Sequence, residues 1–186
     1  MRKMFPVAVL ALALVACGQP GTGGTSGSPS TSTSSGSSLT GTAADVMAQV
    51  LTATAAALPA NSAPITEQVA LTADLAEGVG LTQAQFKDDV VSGEISRAMI
   101  MTFAHEVVLI QAKDAASAAK LKTAIAGAYN PGKWICVFPE QASIVESGAY
   151  VLLVVSTGQY AAAALDAFAK LAGTTGTVNT FYTGAK

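Results

Sequence analysis

The sequence contains few of the residues from which most catalytic and metal sites are built. It has one histidine, two cysteines and 12% charged residues. One histidine excludes a metal site with two histidine ligands, and two cysteines are too few for a disulfide framework. Basic residues are also sparse, since no two stand together after Arg2 and Lys3. This argues against a nucleic-acid partner, because neutralising phosphates requires clustered Lys and Arg.

Charge is missing from the whole first part of the chain. The sequence has ten Lys and Arg and twelve Asp and Glu, and nothing between Lys3 and Asp45 is charged. With Arg2 and Lys3 set aside, residues 43–186 carry eight basic and twelve acidic residues. The main part of the protein is therefore mildly acidic.

The N-terminus has the features of a secretory signal. Arg2 and Lys3 precede an apolar run over residues 5–16, which only Pro6 interrupts. A membrane-spanning helix needs about 20 apolar residues, so this run is too short to cross a bilayer. The pattern predicts a signal peptide over residues 1–16.

The end of the apolar run resembles the lipobox of bacterial lipoproteins. Leu14, Val15 and Ala16, one aliphatic residue and two small ones, stand directly before Cys17. The resemblance implies that the Cys17 thiol receives a diacylglyceryl group and that a peptidase then cuts before it. Two acyl chains hold a protein stably at a membrane, whereas one chain does so only marginally.

The next segment, residues 17–42, is predicted to be a disordered linker that begins with the lipidated Cys17. Ser, Gly and Thr make up 21 of the 25 residues 18–42, and Leu39 is the only large apolar side chain. Such a segment buries too little surface to offset its backbone entropy. A flexible Gly/Ser chain of this length spans about 25–30 Å, so it acts as a tether.

Residues 43–173 are predicted to form a single α+β domain, followed by a flexible tail over residues 174–186. Hydrophobic periodicity predicts short N-terminal helices and then an antiparallel four-stranded sheet in the order β-β-α-β-β-α. The predicted helices cover 43–58, 72–78, 83–91, 115–129 and 159–172, and the predicted strands cover 95–102, 106–112, 143–146 and 150–156.

Two predicted strands are apolar on both faces. Residues 107–110 and 151–155 do not alternate between apolar and polar, as a sheet with one wet face would. Something must cover the second face. We expect the helices of residues 43–91 to do so, and a homodimer is the alternative.

Residues 65–172 resemble a family of small lipoproteins catalogued as domain of unknown function 4358. The resemblance rests on the run Glu106–Asp114 before a helix, on Pro139–Glu146, and on Gly148–Ser156 before a helix that contains Phe168. The chain departs from the family in a surface poorer in Lys and Glu and in an unusually apolar stretch from Lys133 to Phe138. The resemblance implies this fold and a place at the outer face of the membrane, and it implies no catalytic residue.

The strongest catalytic patterns in the sequence are incomplete. His105 and Glu106 begin a zincin-like motif, but Leu109 stands where the second histidine is needed. His105 falls in a predicted hairpin turn and is expected to be solvated. Ser117 and Lys120 have the S-x-x-K spacing of penicillin-interacting enzymes without the further motifs those enzymes need, so they are expected on an exposed helix face.

The remaining reactive residues have structural interpretations. Cys136 lies between apolar residues and is expected to pack in the core as a small hydrophobe. The acidic group formed by residues 87–89 and Glu94 lacks the alternating oxygen ligands of a calcium loop, so it is interpreted as a charged helix end.

These observations lead to the hypothesis of a non-enzymatic lipoprotein at the extracytoplasmic face of a bacterial cell membrane. Its domain would bind another protein, a cell-wall component or a small solute, without cofactor or metal. Trp134 and Phe138 are the first candidates for the binding surface, because exposed aromatic patches mark interaction sites. The alternatives are a small envelope hydrolase that uses carboxylates or Cys136, and a structural subunit of an envelope complex.

Overall fold

The computed structural model describes residues 38–100, 103–174 and 176–184. The predicted signal peptide, the lipobox, Cys17 and most of the predicted linker lie outside these residues. The described residues form an α+β fold, as the sequence predicts, with five helices and one antiparallel sheet.

The helices and strands follow one another in the order of this list. They are α1 (Ala43–Ala57), β1 (Thr66–Ala70), α2 (Ala73–Ala76), α3 (Gln83–Asp89), β2 (Val90–Ala98), β3 (Glu106–Ala112), α4 (Ala115–Ala128), β4 (Gln141–Ser147), β5 (Tyr150–Ser156), α5 (Gly158–Ala172) and β6 (Asn179–Thr183). A 3-10 turn, Glu77–Val79, continues α2.

The prediction of a four-stranded sheet is wrong, because the sheet of the described residues has six strands in the order β1-β2-β3-β5-β4-β6. The two additional strands are its edges. β1 pairs with β2, and β6 pairs with β4 within the segment predicted to be a flexible tail. Neither edge strand has the clean alternation of buried and exposed residues that identifies a strand from sequence.

The second strand is displaced from its predicted position. The predicted helix over 83–91 ends at Asp89, and β2 occupies 90–98 instead of 95–102. Phe86 and Val90 have helical spacing in the sequence, but Val90 pairs with Ala112 of β3. Cross-strand pairing therefore outweighs the local helical pattern at this point.

Polar residues at the predicted positions cap the helices. The Thr42 hydroxyl accepts a hydrogen bond from the Asp45 amide at 3.2 Å, and the Asp45 carboxylate accepts one from the Thr42 amide at 2.9 Å. This capping box starts α1. The Asp114 carboxylate accepts the Ser117 amide at 2.7 Å. Gly173 ends α5 with a φ of 70°, a left-handed conformation that suits glycine.

Helices cover both faces of the sheet, and those of residues 43–91 are divided between the two. On one face, Val107 and Leu109 of β3 pack in one cluster with Val46 of α1 and Phe168 of α5. On the other, Val108 and Ile110 pack with residues of α4 and with Leu71, Ala76, Val79 and Leu81. The expectation that residues 43–91 cover only one face is therefore corrected, because α1 lies beside α5.

Gly80 sets the position of the segment between α2 and α3. It has a φ of 88°, and a Cβ there would lie 2.8 Å from the Tyr129 backbone nitrogen. Only glycine allows both this conformation and this approach. The 3-10 turn before it is thereby held against the end of α4, where the segment 130–140 begins.

Candidate interaction surface

Three connecting segments lie at one end of the sheet, which we call the loop end. Strands β1, β3 and β4 begin at this end, and β2, β5 and β6 finish there. The segments are 58–65, which leads into β1, 99–105, which joins β2 to β3 and of which residues 101 and 102 lie outside the described residues, and 130–140, which leads into β4. Because neighbouring strands are about 4.8 Å apart, the first two segments, on the adjacent strands β1, β2 and β3, lie close together. Segment 130–140 stands farther along the same end of the sheet, since β5 separates β3 from β4.

The loop end carries most of the exposed large apolar side chains of the described residues. Five lie there, and the other two, Val91 and Val178, lie at the opposite end. The five are Ile65, Met99, Ile100, Ile135 and Phe138. In sequence, Lys133 and Glu140 are the only charged residues of the three segments. The combination gives two largely uncharged apolar patches at this end, one on residues 65, 99 and 100 and one on residues 135 and 138.

Backbone hydrogen bonds connect two of these segments directly. The Met99 amide donates to the Ile65 carbonyl at 3.1 Å, and the Ala98 amide donates to the His105 carbonyl at 3.2 Å. The first bond joins the segment before β1 to the segment after β2. The exposed side chains of Ile65, Met99 and Ile100 therefore belong to one local surface.

The predicted binding residues lie in the third segment, with different environments. Phe138 is 66% exposed, whereas Trp134 is half-buried and packs against the core. Ile135, which the sequence pattern did not single out, is 89% exposed. Cys136 is also exposed, so the expectation that it packs in the core is wrong. Of its apolar neighbours in sequence, Ile135 faces solvent and Val137 is half-buried, so they do not enclose it.

A buried ion pair holds this segment to the start of β3. The Lys133 ammonium donates to both Glu106 carboxylate oxygens at 2.9 and 2.8 Å and to the Gly78 carbonyl at 2.9 Å. It also lies 4.7 Å from the centroid of the Tyr129 ring and 5.1 Å from that of Trp134. Glu106 is only 6% exposed. Lys133 thus fixes the base of the segment whose tip presents Ile135 and Phe138.

Tyr129 completes this polar cluster. Its hydroxyl donates to the Glu106 carboxylate at 3.3 Å. Burial, together with the negative charge of Glu106, raises the pKa of Tyr129 above its ordinary value. The neutral phenol therefore persists over the whole working range of pH and remains a hydrogen-bond donor.

His105 is buried at the base of the segment between β2 and β3, so the expectation of a solvated turn histidine is wrong. It is 1% exposed, its Nδ1 shares a 2.9 Å hydrogen bond with the Ser156 hydroxyl, and the Tyr160 ring lies edge-on at 4.5 Å between centroids. Its Nε2 has no hydrogen-bond partner among the described residues. Burial lowers the pKa of His105 to about 4. Ser156, at the end of β5, and Tyr160 enclose the His105 side chain. The sequence alone does not show that these residues lie beside it.

A cleft of about 290 Å³ lies beside the exposed residues of the first two segments. Its wall includes Pro64, Ile65, Ile100 and Phe103, with Ser62 and Ala63 on the chain before β1. Sites for small molecules usually have about 300–1,000 Å³. This cleft is at the lower limit of that range, and its wall is about as polar as it is apolar, so it suits a single side chain.

The other predicted candidates lie away from the loop end. Ser117 is buried and donates to the Asp89 carboxylate at 2.9 Å, so its predicted place on an exposed face is wrong, while Lys120 is exposed. Asp89 ends α3, whereas Glu94 lies within β2 and not at a helix end. Among the described residues, no three His, Cys, Asp or Glu side chains are grouped to hold a metal ion.

The chain enters the domain at the end opposite the loop end. The Ser38 amide and hydroxyl donate to the Ala172 and Leu171 carbonyls at 3.1 and 2.6 Å, at the close of α5. The Tyr150 hydroxyl, at the start of β5, donates to the Gly41 carbonyl at 2.7 Å. Ser38 and the loop end are therefore separated by the length of the sheet.

Comparison with family models, with curated proteins and with solved structures finds no match to this chain. The resemblance to domain of unknown function 4358 stays a prediction. Within the described residues, no helix has the length and apolar character of a membrane span.

Proposed function

We propose that the protein is a lipoprotein, anchored through Cys17 at the extracytoplasmic face of a bacterial membrane, and that its domain is a non-catalytic interaction module that binds through the loop end. The observation that carries the proposal is the concentration of exposed Ile, Met and Phe side chains on three nearly uncharged segments. Exposed apolar patches mark sites of association, and two of them lie at this one end of the sheet, Ile65 with Met99 and Ile100 and, farther along, Ile135 with Phe138.

The polar side chains near this surface support a binding role, because each makes at least one hydrogen bond that holds the base of the loops. Glu106 accepts hydrogen bonds from Lys133 and Tyr129. Glu140 accepts the Gly158 amide at 2.8 Å, and His105 is bonded to Ser156 under the Tyr160 ring. These contacts give a rigid base, and a preformed surface loses less entropy on binding than a mobile one.

The place where the chain enters the domain supports an outward orientation of the surface. Twenty residues separate Cys17 from Ser38, and a flexible Gly/Ser chain of that length spans about 25 Å. Since Ser38 is bonded at the far end of α5, the predicted tether attaches to the domain at the end opposite the loop end. The loop end is then free to meet a partner.

Replacement of Cys17 tests the anchor. In cells, Cys17→Ala should abolish incorporation of a labelled fatty acid and leave an uncleaved precursor, because the acylated thioether must form before the peptidase acts. Cys136→Ala is the matched control, since it removes the other thiol and should change neither labelling nor size. Fatty-acid labelling and normal processing of Cys17→Ala would contradict the anchor.

A further inference from the structure

We propose that the partner of the loop end is a second copy of this chain, in a two-fold symmetric dimer. This inference rests on the proposed function, because it takes the loop end as the interaction surface. It adds the identity of the partner and the way in which the two surfaces fit.

The loop end contains both a protrusion and a recess. The protrusion is formed by Ile135 and Phe138, which are 89% and 66% exposed on a segment that Lys133 fixes to Glu106. The recess is the cleft of about 290 Å³ beside Ile65 and Ile100. In a two-fold dimer, a residue of one copy that contacts a site on the other is repeated by symmetry. Each copy can therefore place its protrusion in the cleft of its mate.

The exposed apolar area is close to what a dimer requires. At about 200 Å² for a fully exposed aromatic side chain, taken as an upper value for Ile and Met, the five residues of the loop end expose at most roughly 700 Å². A standard interface buries about 800 Å² on each partner. The loop end supplies a large part of this area when both of its apolar patches are buried together, as the two-fold arrangement provides.

Charge favours association at the loop end over association elsewhere. Residues 43–186 carry eight basic and twelve acidic residues, so two copies repel each other. At the loop end, Lys133 is already paired with Glu106, and Glu140 accepts the Gly158 amide. An anionic bilayer is a less suitable occupant, because peripheral binding to such membranes relies on clusters of Lys and Arg, which these segments lack.

The oligomeric state tests the proposal in solution. The chain from residue 17 onward, with Cys17→Ser to remove the lipid, is examined by sedimentation velocity up to roughly 100 µM, where even a weak dimer is populated. We expect a concentration-dependent dimer. Phe138→Ser should weaken it by about 30-fold or more, as loss of a central anchor does. Val91→Ser is the matched control, because Val91 is 61% exposed at the opposite end, and it should leave the dimer unchanged.

A mixing experiment tests the symmetric fit. Ala63→Trp fills the cleft, because Ala63 lies in its wall, and should prevent dimerisation as Phe138→Ser does. When the two variants are mixed, the Phe138 side chain of one can enter the open cleft of the other, so one of the two contacts is restored. The mixture should dimerise more strongly than either variant alone. Thermal unfolding midpoints equal to that of the parent chain show that neither variant disturbs the fold.

Three results would overturn the proposal. The first is a parent chain that remains monomeric at every concentration. The second is a dimer that Val91→Ser disrupts and Phe138→Ser does not. The third is a monomer that floats with phosphatidylcholine or phosphatidylglycerol vesicles and loses this binding in Phe138→Ser. The dimer and the anchor can fail independently. If the soluble chain is a monomer while the wild-type protein is lipidated in cells, only the dimer is refuted. If the wild-type protein is not lipidated at Cys17, the anchor is refuted and the dimer is unaffected.

Discussion

Replacing Lys133 with methionine should lower the free energy of unfolding by about 3 kcal/mol, the lower end of what removal of one partner of a buried ion pair costs, because the Lys133 side chain is 26% exposed. The Glu106 side chain is 8% exposed, and Lys133 is its partner in an ion pair at 2.8 Å. Without the ammonium, the carboxylate keeps only the Tyr129 hydroxyl at 3.3 Å. The segment 130–140 also loses its attachment to the Gly78 carbonyl. Urea unfolding at pH 7 measures the loss.

Two further variants show whether the loss of stability comes from leaving the Glu106 charge without a partner or simply from removing a basic side chain. Lys133→Met combined with Glu106→Gln removes both charges and should recover part of the stability, because no charge is then buried without a partner. Arg97→Met breaks the exposed pair with Glu67, whose atoms are 2.7 Å apart, and should cost less than about 1 kcal/mol. Equal losses for Lys133→Met and Arg97→Met would contradict this role of Lys133.

Acidification from pH 7 to pH 4 should remove about 3 kcal/mol of stability through His105 alone. Burial lowers the pKa of His105 from 6.5 to about 4. Between these values the unfolded chain binds a proton that the folded chain does not, so stability falls as the pH falls through this window. Each unit of the difference between the unfolded and folded pKa values of His105 corresponds to about 1.4 kcal/mol of stability. Stability should be constant above about pH 7.

The groups around His105 determine how stability should depend on pH. Tyr160 packs against its ring, and burial raises the pKa of Tyr160 to about 12, so it stays neutral. Glu106 follows in the strand and points to the other face of the sheet. Neither group stabilises an imidazolium. His105→Gln should therefore flatten the stability curve between pH 7 and pH 4, measured as urea midpoints, and an unchanged slope in that variant would refute the assignment.

The central part of the fold was predictable because its pattern is strong. β3 and β5 are almost wholly apolar and are buried on both faces, and α4 and α5 begin at polar caps and carry a buried stripe. The edge strands were not predictable by the same means. β1 contains Thr, Glu and Gln, and β6 follows a glycine-containing segment. Neither strand shows a two-residue alternation of buried and exposed positions. Their positions depend on the strands they join, which local sequence does not reveal.

The loop end was predictable only in part. The apolar stretch that includes Trp134 and Phe138 indicated a surface, and Phe138 is exposed while Trp134 is half-buried. Ile65 and Ile100 lie far from Phe138 in sequence, and only the antiparallel topology brings their segments to the same end. The common signal was the lack of charge in all three segments. The burial of His105 and the pairing of Glu106 with Lys133 depend on tertiary contacts alone.

Photo-crosslinking in intact cells tests most directly the claim that the loop end is the interaction surface of an anchored protein. A photoreactive phenylalanine analogue is placed at Phe138 and, in a separate strain, at Val178, which is also exposed but lies at the opposite end. With Cys17 intact, the analogue at Phe138 should form a discrete protein adduct in the membrane fraction, and the analogue at Val178 should not. A discrete adduct at Val178 and none at Phe138 would contradict the claim.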